Sequence, residues 1–196
     1  MNRSQLPELQ YITAIANLAS ILQHGILSNR RAKPFNPVSI ALAGVQDIRA
    51  RTSVPGGLAL HDYVNLYLCA RNPMLYKRLD QHQDICVLRV STAVLDLPGV
   101  VITDGNAASK YCAFLPSPSG LARVDHELVF AEWWTDPNEI QYYRKSTAKC
   151  AEVLVPQHVS SVYLLGVRVS SDQSAAAVRV ATPDIDVVVD GHLFFR

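Results

Sequence analysis

Ala151-Glu152-Val153-Leu154-Val155 reads as a strand with apolar side chains on both faces and a single carboxylate among them. A strand of that pattern is packed on both sides. An ionised carboxylate within it is costly unless a partner pairs with it. Two readings follow. Either Glu152 is a working group facing a partner inside the protein, or the run is an edge strand whose glutamate points to solvent or closes a salt bridge.

Outward from this run, the chain alternates short apolar segments with turn signals. Leu9–Thr13 reads as a strand. The helix after it carries Ile15, Leu18, Ile21 and Leu22 at helical spacing, with Gly25 placed to cap its C-terminus. Arg30 to Pro37, with two prolines and three basic residues, reads as a loop. Ser39 is a plausible N-cap for a helix running toward Arg51, which Pro55-Gly56-Gly57 ends with a turn. Further strands are expected at 63–69, 85–90, 100–103, 161–167, 177–181 and 185–189, from their β-branched and aromatic content. Strands that follow an N-terminal helical region favour an α+β fold over a doubly wound sheet. No internal repeat or Gly/Ser linker interrupts the chain, so residues 1–196 are expected to form one domain.

Composition narrows the class. At 196 residues, 49% hydrophobic and 18% charged, the chain suits a compact protein and not a disordered one. No apolar run approaches the roughly 18 residues of a membrane span, and the N-terminus lacks the apolar stretch of a signal peptide, so a cytoplasmic location without a membrane partner is expected. Cys69, Cys86, Cys112 and Cys150 form no C-x-x-C pair and have no histidine at metal-ligand spacing. They read as reduced core thiols, with no metal expected. Net charge is +1, but residues 1–90 hold ten Lys/Arg against five Asp/Glu and residues 91–196 hold eight against twelve. The basic half suits a phosphate-bearing ligand more than sequence-blind duplex binding, which needs a strongly basic domain.

Motif absences exclude several enzyme classes. No phosphate loop, G-x-G-x-x-G, H-E-x-x-H or G-x-S-x-G occurs. His61-Asp62 is the most conspicuous acid/base pair remaining, but neighbours on a strand point to opposite faces, and Asp62 reads better as a turn cap.

The run His61-Asp62-Tyr63-Val64-Asn65-Leu66-Tyr67-Leu68-Cys69-Ala70-Arg71-Asn72-Pro73-Met74-Leu75-Tyr76 resembles the H-D-Y-V-P-F-Y-F-x-x-R-S-P-M-L-Y signature of DarT toxins, bacterial DNA ADP-ribosyltransferases. Four further segments match in the same order. Tyr11-Ile12-Thr13 with Asn17-Leu18 and Ile21-Leu22 is similar to H-x-T-x-x-x-N-L-x-x-I-L, and Ser39-Ile40-Ala41 with Gln46 and Arg49 to the S-I-A-Y helix and its arginine. Thr103 to Ala108 is similar to the T/S-D-G-N-A-A turn, and Ala151–Val155 to the A-E-x-L-V strand. Together the matches span residues 9 to 156.

The resemblance implies an α+β ADP-ribosyltransferase fold, a split β-sheet pair with helices, and NAD+ as co-substrate in the cleft between the sheets. The reaction it implies breaks the nicotinamide–ribose bond and passes ADP-ribose to a base of single-stranded DNA. Glu152 would steady the oxocarbenium-like centre and help deprotonate the attacking nitrogen. Arg49 would grip the diphosphate, for which a guanidinium fork is suited, although Arg51 stands close enough to serve. Thr13 and the backbone around Tyr11 would hold the nicotinamide amide, Tyr67 would stack on its ring, and Ile12, Ser20 and Ser28 would complete the cofactor contacts. Arg71, Met74 and Tyr76 would lie near the DNA, where aromatic and arginine side chains suit unpaired bases. Partners implied are single-stranded DNA and an antitoxin, a macrodomain-like or related ADP-ribosyl hydrolase.

Two departures from the pattern bear on the details. Tyr11 stands where the family has histidine, and the segment before Glu152 is short and carries Pro116 and Pro118. The target base is therefore open between thymine and guanine. Two other readings compete: an ADP-ribosyltransferase of RNA or protein, and a non-catalytic module that binds NAD+ or nucleic acid.

Overall fold

The computed structural model describes residues 1–196. Ten strands form in chain order: β1 (Leu9–Ala14), β2 (Ile26–Leu27), β3 (Tyr63–Tyr67), β4 (Ile85–Val90), β5 (Val101–Thr103), β6 (Phe114–Pro116), β7 (Glu152–Pro156), β8 (His158–Val159), β9 (Leu164–Val169) and β10 (Val187–Val189). The helices are α1 (Leu18–His24), α2 (Asn29–Ala32), α3 (Ala43–Arg51), α4 (Pro73–Tyr76), α5 (His126–Phe130), α6 (Glu139–Ala148) and α7 (Asp172–Ala181). No helix is long and apolar enough to cross a membrane.

Eight strands line up as β10-β9-β4-β1-β3-β7-β5-β6, and β2 pairs with β8 apart from them. The ladder is dense on either side of its middle and thin at its middle. β1 pairs with β4 through six residues and β3 with β7 through five, whereas β1 and β3 meet at the one pair Gln10↔Tyr67. Because the two strands run antiparallel, residues 11–14 of β1 and 63–66 of β3 diverge from that point. The expected split between two sheets is thus a parting within one continuous ladder.

Side-chain alternation decides what faces what. On β4, Cys86, Leu88 and Val90 enter the main core while Ile85 and Val87 face a smaller cluster with Leu193 and Phe194. On β7, Val153 and Val155 join the main core; Glu152 and Leu154 turn to the other face. Each fully buried aliphatic side chain of this kind contributes about 1.5–3 kcal/mol.

Several expected boundaries shift. α3 begins at Ala43 behind Leu42, not at Ser39, whose hydroxyl instead accepts from the Ala41 amide at 3.3 Å in a local turn. The basic stretch read as loop holds α2 and a 3₁₀ turn over Lys33–Phe35. Residues 177–181, expected as a strand, end α7, because Ser171 caps Ser174 N–H and Ala175, Val178 and Thr182 make a helical buried stripe. Gly25 does cap α1, at φ 74°, where a Cβ would come within 2.4 Å of the Val159 carbonyl.

Candidate active site

Glu152 is 1% exposed and stands opposite Tyr67 in the β3–β7 register. Three groups hold it. Arg49 Nη1 donates to its Oε1 and Oε2 at 3.0 and 3.1 Å, and the Ala107 amide donates to Oε1 at 3.1 Å. The third contact is on the backbone: Glu152 N–H donates to Thr103 Oγ1 at 3.0 Å, and that hydroxyl donates to the Gly105 carbonyl at 2.7 Å. This explains the Thr103-Asp104-Gly105-Asn106-Ala107 turn locally. Thr103 ends β5 beside β7, Asp104 Oδ1 accepts from Ala113 N–H at 2.8 Å, and a Cβ on Gly105 would lie 2.7 Å from Thr147 Cγ2. The turn folds tightly enough to aim an amide at the carboxylate.

Arg49 comes from α3 and is 5% exposed. Burial alone works against its charge, but the Glu152 carboxylate overcomes this and holds the guanidinium above its ordinary value. Its Nη2 is buried and has no partner, a strong donor available to an acceptor in the adjoining space. That space is a cavity of about 670 Å³ at the parting of β1 and β3, within the usual range for a small-molecule site. Arg49 forms part of its wall, and Glu152 does not: the carboxylate sits one hydrogen bond behind the arginine.

A strap, residues 33–42, crosses one side of the cavity. Asn17 fastens it, accepting from Val38 N–H at 2.9 Å and donating Nδ2 to the Val38 carbonyl at 2.9 Å. The same Nδ2 lies 3.1 Å from Thr13 Oγ1. Thr13 therefore accepts from Asn17 and keeps its hydroxyl proton for something in the cavity. Also on the wall, His61 Nε2 donates to Gln46 Oε1 at 3.0 Å, which leaves Nδ1 as an acceptor. Burial, then Arg49, Lys33 and Arg30, keep His61 below its ordinary value, with Asp62 opposing. Asp62 pairs with Arg30 at 3.2 Å.

The site residues expected from sequence divide. Tyr11, Ile12, Thr13, Ser20, Arg49, Tyr67 and Met74 all line the cavity. Burial, then the neighbouring Cys86, pushes the Tyr11 phenol up to about 12, and desolvation, then the facing Glu152, holds the Tyr67 phenol well above its ordinary value. Both stay neutral donors. Ser28 lies off the cavity, fully buried, its Oγ without a partner. Arg71 and Tyr76 are also away from the wall: Arg71 Nη2 pairs with Glu132 at 2.7 Å, Nη1 donates to the His192 carbonyl, and Tyr76 packs against Trp134 and Phe195. Asn17, Gln46 and Ala107 were recognisable as motif letters but not as site residues, because their work is done through backbone and side-chain contacts between distant segments. The cysteines are free, and burial pushes Cys112 and Cys150 up to about 12, so neither is a thiolate near neutrality. No cluster of three or more metal-ligating side chains is present.

Comparison with known proteins places this geometry. A DNA ADP-ribosyl transferase of Thermus sp. (strain 2.9) is 34% identical over 145 residues, 68% of this chain and 69% of that protein. A DNA ADP-ribosyl transferase–DNA ADP-ribosyl glycohydrolase fusion protein of Thermosipho africanus is 30% identical across 96% of this chain, which spans about half (49%) of the fusion. Among solved structures, the Thermus sp. 2.9 protein in complex with ADP-ribosylated single-stranded DNA superposes with TM-score 0.82 at 27% identity, covering 97% of each chain. The same protein in complex with NAD+ gives 0.76 at 26% identity, covering 96% of this chain and 98% of that one. The family model described as ssDNA thymidine ADP-ribosyltransferase, DarT, matches residues 10–195, and with these relatives it establishes that the chain belongs to the DarT family.

Proposed function

We infer that residues 1–196 act as one NAD+-dependent ADP-ribosyltransferase domain that modifies a base of single-stranded DNA. The observation that carries this reading is the Arg49–Glu152 pair, held by the Ala107 amide at the wall of the cavity, with Arg49 Nη2 unpartnered. The cavity residues fit the dinucleotide. Arg49 offers its donor to the diphosphate, the Thr13 hydroxyl donates to the nicotinamide carboxamide, and Tyr67 gives its ring face to the pyridine.

Glu152 acts on the ribose. The nicotinamide–ribose bond breaks, its electron pair leaves with neutral nicotinamide, and cationic character develops at the sugar carbon, which the carboxylate reaches once Arg49 has moved off it. A preorganised charge of this sort is worth on the order of 10²–10³ in rate. The DNA base nitrogen then forms the new bond and gives up its proton, for which Glu152 is the nearest buried base. Arg49 swings from carboxylate to phosphate, and so the pair opens only when the substrate offers a replacement anion. The target is thymine on the family's description, and guanine is the alternative.

The reaction runs where NAD+ and DNA occur together, in the cytoplasm. The Thermosipho relative joins its transferase to a glycohydrolase in one chain. By analogy this chain is a toxin whose partner is an ADP-ribosyl hydrolase that removes the modification. To test the reading, the protein is incubated with NAD+ and single-stranded oligonucleotides that each lack one base. ADP-ribose mass addition to every oligonucleotide except the one without thymine is expected. Addition only to RNA or protein, or NAD+ binding without transfer, would sink it.

A further inference from the structure

Ala131-Glu132-Trp133-Trp134 places two tryptophans side by side with opposite surroundings. Trp134 is 4% exposed and is gripped edge-on by Tyr76 and Phe195 at centroid distances of 5.6 and 6.0 Å. Trp133 is 49% exposed. The segment beneath it is rigid: Lys149 Nζ donates to the Ala131 carbonyl at 2.7 Å, and Arg71 holds Glu132 at 2.7 Å. Arg71 also lies under the ring of Trp133, 5.1 Å from its centroid, and under Phe195 at 4.1 Å. One face of Trp133 is thus occupied by a cation that fixes its orientation, Phe195 and Trp134 stand beside the ring at 5.8 and 6.1 Å, and about half of its surface is left to solvent. Tyr76, 44% exposed, meets it edge-on at 6.4 Å.

The position of this ring pair connects it to the cavity. Tyr76 ends α4, and Pro73 and Met74 of that helix line the cavity together with Lys77 and Arg78 just beyond it. Lys77 and Arg78 put positive charge on the cavity wall directly after Tyr76 in the chain, and the Glu132 carboxylate is matched by Arg71. A flat, exposed, cation-backed aromatic face flanked by basic groups suits a π-surface tethered to phosphates.

We propose that Trp133, with Tyr76 at its edge, is a stacking platform for an unpaired base of single-stranded DNA flanking the one that enters the cavity. This rests on the single-stranded DNA reading given above. In it Arg71 is a positioning residue: it sets the tryptophan and does not itself reach the DNA.

The test measures anisotropy of a fluorescein-labelled oligothymidylate with the parent, Trp133→Leu and Trp133→Tyr, and repeats it with oligonucleotides carrying one abasic position moved along the strand. Trp133→Leu should raise Kd about tenfold, equivalent to about 1.4 kcal/mol, and Trp133→Tyr should restore most of it. One abasic position should weaken the parent by a similar factor and leave Trp133→Leu nearly indifferent. Overturning results are parent-like binding by Trp133→Leu, an abasic penalty that persists undiminished in Trp133→Leu, or an oligoribonucleotide bound more tightly than DNA through Trp133. The two readings fail separately. Trp133-dependent binding without any ADP-ribose transfer removes the activity and keeps the platform, whereas transfer by Trp133→Leu at the parent's KM for oligonucleotide removes the platform and keeps the activity.

Discussion

Glu8 and Glu152 are both buried against arginine, and they differ in what surrounds them. Glu8, 5% exposed, receives Arg89 Nε at 2.8 Å and Arg168 Nη1, and those arginines reach on to Asp186 and Asp190 at 3.1 and 3.6 Å. That network lies on β4 and β9, away from the cavity, and its arginines are about a quarter exposed. Glu152 has one arginine, itself buried, whose second nitrogen is unpartnered beside the cavity. Burial and pairing are common to both, so neither marks function. What separates them is an unused donor on an arginine that also lines the cavity.

Substituting each glutamate sharpens that contrast most. Glu152→Gln should lower ADP-ribose transfer on the order of 10²–10³-fold, read by mass addition to an oligonucleotide, while the remaining amide oxygen still accepts from Arg49 and the Ala107 amide. Glu8→Gln should retain transfer and lose about 1–3 kcal/mol in denaturant unfolding, a buried-pair loss discounted for arginines that water reaches. Transfer lost in Glu8→Gln at full stability would erase the distinction.

Asn17→Ala probes the strap beside the same site. Its three hydrogen bonds are partly exposed, and losing them should cost about 1.4 kcal/mol in dinucleotide binding, seen as a KM for NAD+ raised about tenfold. An unchanged KM would mean that the strap stays in place without Asn17.

The smallest effect is in pH. His61 and His82 both sit below 6.5 in the fold, lowered by burial and then by nearby arginines or lysine. The folded chain then binds fewer protons than the unfolded one, so this stability is full above pH 6.5 and is lost as pH falls through the lowered folded values. Thermal midpoints should decline from pH 7 to pH 5, and His61→Gln should flatten the decline. A slope identical to the parent's would assign it to other groups.

The chemistry was easier to read from the sequence than the placement. Glu152 stood out because a carboxylate conflicts with its apolar neighbours, and β4 emerged with its observed bounds because Ile85–Val90 is continuously strand-like. Glu8 did not stand out, although it is buried, since its arginines come from strands far along the chain. Arg71, Tyr76 and Ser28 lie off the cavity wall, and the packing of Phe195, Trp134 and Gln157 around them is long-range and leaves no local signal. Residues 177–181 read as strand because valines favour both states, and only the Ser171 cap with the spacing of Ala175 and Val178 decides for helix.

The lone Gln10↔Tyr67 pair between β1 and β3 has a mechanical meaning. A single pairing and the Gln10 Oε1 contact to the Ala70 amide tie the strands there, whereas six pairs tie β1 to β4 and five tie β3 to β7. The gap this leaves, between residues 11–14 of β1 and 63–66 of β3, is bordered by the cavity, so the room for a ligand comes from missing ladder rather than from missing side chains.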